Sequence, residues 1–297
     1  MNFIVGVIVA VGCMLGGFMA MGGHVAVIWQ PWEFVIIFGM ALGAFIVANT
    51  WSVQIDTGRS VVEALLNKGP KRKDYLALLG LLFTLTRMVR TRPRSEIEAH
   101  VDDPANSTVF QNFPTIVADR ELTNYICDYV RLLVIGNAKP HEIDALMDEE
   151  IATIKKNKLK TYQAMSAVAD GLPALGIVAA VLGIIKAMGA IDQAPSLLAG
   201  LLGAALVGTF TGIFASYGIF APLANKMKTT REKQCQPYFI VKQTLVAFLN
   251  GAMPQIALEH GRKMISSYER PTIDELENET MNAGGRSGGD QDQQEAA

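Results

Sequence analysis

Four apolar runs, at residues 2–21, 34–49, 172–190 and 197–221, stand out from the mixed polar pattern of the rest of the chain. Each comes close to the roughly 20 helical residues that cross a hydrocarbon core about 30 Å thick. The pattern therefore predicts an early and a late hairpin of membrane helices, framing a long polar stretch. None of the four runs has an Asp or Glu near its middle. A cation crossing such a bundle needs a polar relay, and these spans supply hydroxyls but no central carboxylate. The chain is expected to work with a partner that brings the acid.

The stretch between the hairpins reads as helical. Residues 75–86 are uncharged and Leu-rich but too short to span, so they are expected to form a buried or membrane-surface helix. Residues 119–135 place Leu122, Tyr125, Ile126, Tyr129, Leu132 and Leu133 on one face, with Asp119, Arg120, Glu121, Asp128 and Arg131 mostly on the other. Pro140 suits the first turn of a further helix running towards the third span. After Pro222, residues 226–233 are basic and residues 238–249 apolar, which predicts one helix leaving the membrane and a second folding back. From Met281 the chain is nearly devoid of apolar residues and is expected to be disordered. The expected fold class is all-α: a polytopic membrane protein with four transmembrane helices and a helical cytoplasmic domain. Its divisions are 1–50, 51–171, 172–222, 223–280 and the tail 281–297.

Charge orients this scheme. The chain has 26 Lys and Arg residues; none precedes Arg59, and only Lys186 lies between Leu172 and Pro222. By the positive-inside rule the polar regions and both termini are cytoplasmic. A signal peptide would want a basic start, which Met1-Asn2-Phe3 lacks, so the first helix is expected to be retained. A net charge of −2, with no basic run interleaved with aromatics, gives no reason to expect nucleic-acid binding. Cys13, Cys127 and Cys235 are far apart and read as apolar fillers. The four histidines lack ligand spacing, so no metal or cofactor site is expected. No Walker loop, GxGxxG or GxSxG motif points to an enzyme.

The spans are rich in glycine. Gly39 and Gly43, and Gly208 and Gly212, are four residues apart, a spacing that lets helices approach closely in lipid. Tight packing and homo-oligomerisation are expected.

The order of these pieces resembles the MotA family of flagellar stator subunits, within the MotA/TolQ/ExbB proton channel family. The likeness is carried by Gln30-Pro31 with Glu33 and Ile36-Ile37, and by the acidic run from Ile143 through Asp144, Met147, Asp148, Glu149 and Glu150 to Ile151. It continues in Leu172-Pro173-Ala174 with Gly176-Ile177-Val178-Ala179-Ala180-Val181, and in Val207-Gly208-Thr209-Phe210. Ser216-Tyr217-Gly218 before Pro222, and Gly261-Arg262-Lys263 with Glu269-Arg270-Pro271, complete it. The resemblance implies a torque generator driven by protons in the bacterial inner membrane. Several copies would surround a pair of MotB chains, each bringing one helix whose Asp binds the ion and a domain that grips peptidoglycan.

The resemblance also implies roles for residues. Arg90 and Glu98 match rotor-facing charges that contact the protein FliG, with Glu150 a further candidate; Arg92 and Arg94 flank them, and Pro93 interrupts any helix there. Pro173 and Pro222 match hinges at the cytoplasmic ends of spans three and four. On the residues alone, Pro173 reads as a first-turn proline and Pro222 as a helix terminator. Thr209 matches a position lining the ion path, and Tyr217 lies towards the cytoplasmic end of the same span. Ala180 stands where sodium-driven relatives carry a threonine, which points to protons. Asp170 reads as a partner of the helix dipole or as a proton acceptor at the inner mouth. Lys186 is expected to snorkel to the outer face. An ExbB- or TolQ-type channel energising outer-membrane processes is the alternative, and the early hairpin argues against it.

Overall fold

The computed structural model describes residues 2–136 and 139–286. In chain order the helices are α1 (Asn2–Ala20), α2 (Pro31–Ala48), α3 (Trp51–Leu66), α4 (Arg72–Thr91), α5 (Arg94–Asp102), α6 (Thr108–Gln111), α7 (Pro114–Val117) and α8 (Arg120–Ile135). They continue as α9 (Pro140–Met188), α10 (Pro195–Phe214), a π-helical turn (Ala215–Phe220), α11 (Ala221–Leu249), α12 (Pro254–Lys263) and α13 (Ile273–Arg286). Among the described residues there is no strand, so the fold is all-α. Four segments among them are long and apolar enough to cross a membrane: Phe3–Ala20, Pro31–Ala48, Pro140–Met188 and Pro195–Leu249.

Local chemistry sets the helix ends. Pro31 and Pro195 occupy first turns, where a missing N–H is harmless. The Asp119 carboxylate accepts the Leu122 N–H at 3.1 Å to open α8, and Gly136, at φ 78°, closes it.

The chain divides into two compact units. The first comprises Met1–Lys68 and Asn157–Glu232. In it Arg231, almost fully buried, donates from Nη2 to Asp56 at 2.7 Å and from Nε to Ser60 at 3.2 Å, with Glu63 at 3.5 Å. The Thr161 hydroxyl reaches Ser60 at 3.2 Å, so one polar network ties α3, α9 and α11 together.

The second unit comprises Gly69–Lys156 and Lys233–Ala297. Its core is built on α4, whose Leu78, Leu79, Leu81, Leu82 and Leu85 are fully buried with Phe110, Ile126, Met147 and Tyr238. The Leu-rich run at 75–86 is thus a core helix. The acidic run that opens α9 has two faces: Ile143, Met147 and Ile151 enter the core, while Asp144 and Asp148 grip Lys242 at 2.9 and 2.6 Å.

Three expectations change. Pro173 does not start a helix; it lies inside the 49 residues of α9. Pro222 does not end one; it sits at the second position of α11, which runs on for 29 residues through Pro237 in place of two helices. The final helix extends through Met281–Arg286, six positions that the composition assigns to the tail. Residues 287–297 lie outside the described residues.

Candidate ion pathway and charged face

Within the first unit, α9 and α10 meet backbone to backbone. A Cβ at Gly176 would fall 2.9 Å from the Gly208 carbonyl oxygen, and one at Gly212 would fall 2.6 Å from that of Leu172. A Cβ at Gly183 would lie 2.8 Å from that of Ala205. Only glycine permits this approach. Ala180 is buried in this seam, against Gly208. Thr209, the next residue along α10, is half-buried. Tyr217 and Asp170 are exposed.

The two prolines are joined by a hydroxyl. Pro173 has no N–H, so the Ala169 carbonyl four residues earlier loses its helical donor. The Ser216 hydroxyl supplies one, at 2.7 Å, from within the π-helical turn. In that turn the Ala221 N–H bonds the Ser216 carbonyl, five residues back, and Pro222 follows immediately. Inserting a wide turn accommodates a proline that cannot bond the Gly218 carbonyl. Sequence reasoning missed this device; a hydroxyl six residues before a span-end proline was its trace.

The charged candidates belong to the second unit. α4 ends at Thr91 and Pro93 caps α5, so Arg90 and Glu98 sit on separate helices. Arg90 is exposed and its Nη1 contacts the Met253 sulfur at 2.7 Å. It borders a groove of about 520 Å³ lined by Phe83, Arg87, Met253, Pro254 and Gln255. Glu98 is exposed on α5, whose Ile97 and Val101 are buried. Arg92 spans the bend to pair with Glu96 at 3.1 Å. Glu150 instead accepts the Tyr129 hydroxyl at 2.7 Å, which ties it to α8. Burial and that hydrogen bond hold the Tyr129 phenol above its ordinary value. Burial pushes the Cys127 thiol up to about 12, which leaves it an inert filler.

Fold and seam define a polytopic helical membrane protein with closely packed spans. Motility protein A of Salmonella typhimurium is 38% identical over 282 residues, covering 93% of this chain and 94% of that protein. Motility protein A of Escherichia coli K12 is 37% identical over 277 residues, covering 93% and 94%. Residues 4–93 match the model of the motility protein A N-terminal region, and residues 117–238 that of the MotA/TolQ/ExbB proton channel family. The solved C. jejuni MotAB structure shares the fold, with a TM-score of 0.72 at 18% identity over 92% of this chain and 98% of that one. The chain belongs to the motility protein A branch of the MotA/TolQ/ExbB proton channel family. It is a flagellar stator subunit of the proton-channel type, and the family is one of channels, not enzymes.

Proposed function

We propose that this subunit joins a MotB-type partner in the bacterial inner membrane and converts proton flow into torque on the rotor protein FliG. The observation that carries this reading is the close seam of Ala180 against Gly208, with Thr209 the next residue, in spans that carry no acid near the middle of their own sequence. A proton can hop along hydroxyls and water but needs a carboxylate to be held, and the partner supplies it. Several copies surround the partner pair. Both termini and the Arg- and Lys-rich regions are cytoplasmic, which follows from the positive-inside rule. Alanine at position 180 leaves sodium without the extra oxygen ligand it would need to shed its hydration shell, so the ion is the proton.

Arg90 and Glu98 carry the rotor contact, and exposed Arg87 beside Arg90 adds to its positive side. Exposed pairs of this kind contribute about 0.2–1 kcal/mol each, weak enough to form and release on every step. Pro173 and Pro222 act as hinges. Asp170 receives protons, or steadies a helix dipole, at the inner mouth, where Tyr217 also lies.

Co-expression with a MotB-type partner in a stator-less strain tests the reading. Motility should return, stop with a protonophore and survive sodium removal. Arg90→Glu should lower torque, and a compensating charge on FliG should restore part of it. Full torque from an Arg90→Glu, Glu98→Lys double variant would rule out the rotor contact.

A further inference from the structure

Glu33 is an acid inside one of the apolar helices, in the first turn of α2, whereas α1 and α10 contain no Asp or Glu. Its side chain is aimed into the seam just described. The Oε2 atom is sealed from the surface and has no hydrogen-bond partner among the described residues. It lies 3.2 Å from the point a Cβ on Gly208 would occupy, with the Ala179 Cβ at 3.3 Å and the Ala180 nitrogen at 3.4 Å from the same point. One carboxylate oxygen therefore faces Gly208 on α10, at the place where α9 comes closest with Ala179 and Ala180.

The surroundings decide what such an oxygen can do. Its charged neighbour is Lys186 on α9, and α10 carries no ionisable side chain. Asp192 is exposed in the turn after α9, and His24 precedes the short turn before α2. An ionised oxygen shut between helix backbones without a donor is unstable. Binding a proton relieves it. The missing side chain at Gly208 keeps the seam open at that oxygen, and the residue as a whole is only half-buried, so the acid can still be reached from outside.

Resting on the ion-channel reading above, we propose that Glu33 is a proton-binding station of this subunit. Its oxygen lies beside Gly208, near mid-length of the late span, and holds the ion on its way to the partner's acid. The carboxylate takes a proton from hydronium, leaving water. It then returns that proton to the next water in the seam and is again a carboxylate. Lys186 keeps the station from holding its proton too tightly. This chain thus contributes an acid of its own to the path.

The test uses the full complex in a stator-less strain, with a fluorescent tag reporting stator assembly. Swimming speed is followed against external pH for the parent, E33Q, E33D and K186M. E33Q, which has the shape of the acid but no proton to exchange, should assemble and lose the parent's pH dependence, while E33D should restore it. K186M removes the neighbouring positive charge and should move the midpoint of the speed profile to higher pH. An E33Q profile that superimposes on the parent overturns the station. If E33Q does not assemble, E33D decides: a shifted midpoint supports the station and an unchanged one overturns it. A parent that never restores protonophore-sensitive motility overturns the channel reading itself, and the station with it.

Discussion

Single residues hold this fold at points that no short-range pattern reveals. Lys242 is 5% exposed and sits between Asp144 and Asp148, whose carboxylates remain partly in water. Lys242→Met should cost about 1–3 kcal/mol, because it leaves two acids facing each other with no cation between them. Adding Asp144→Asn and Asp148→Asn should recover most of that loss, and melting temperatures of the purified variants would measure it. Hydrogen bonds from Arg262 hold the Glu259 carboxyl below its ordinary 4.5. A lowered folded value means the stabilisation is full above pH 4.5 and is lost as the pH falls through that lower value. Thermal melts on either side of pH 4.5 should therefore separate the parent from Glu259→Gln above it and bring the two together well below it. Lys242 was not legible in the sequence, since its neighbours Ile240, Val241 and Leu245 make it look like the wet side of an apolar helix. The information lay in acids far away along the chain.

At the scale of elements, the four spans and the amphipathic α8 were readable because hydrophobic period and length carry them. Helix ends at prolines were not. The rules for proline describe an isolated helix, in which Pro173 opens and Pro222 closes. Here a neighbouring helix rescues the first, through the Ser216 hydroxyl on the Ala169 carbonyl, and a π-helical turn absorbs the second. Ser216→Ala should leave that buried carbonyl without a donor and cost about 1–3 kcal/mol, read as a fall in melting temperature. Pro173→Ala in the same background should recover part of it, because the restored N–H returns the helical donor. The glycine seam was legible as spacing but not as a contact map. Gly212→Ala would drive a Cβ to within 2.6 Å of the Leu172 oxygen, whereas one at Gly203 meets nothing within 4 Å. The first should reduce the yield of folded protein and the second should leave it unchanged, as detergent-solubilised chromatography would show.

At the scale of the whole molecule, a subunit on its own is an incomplete object. Almost none of the apolar surface of α1 and α2 is buried among the described residues, so Ile4, Ile8, Val35, Leu42 and Val47 stay largely exposed. Lipid, further copies and a partner helix are what such surfaces fit. The pathway proposed above is incomplete in the same sense: its hydroxyls and the single acid Glu33 can pass a proton on, but the charge that drives each step is the partner's. Each proton crossing 100 mV releases about 2.3 kcal/mol, which becomes work only if a charge is bound and neutralised inside the bundle. Reconstituted alone in vesicles under an imposed potential, this chain should therefore carry no selective proton current. With a MotB-type partner it should carry one, and replacing the partner's membrane Asp by Asn should abolish it while the complex stays assembled. A current from the isolated chain would mean that Glu33 and the hydroxyls suffice by themselves, and the division of labour between the two subunits would have to be redrawn.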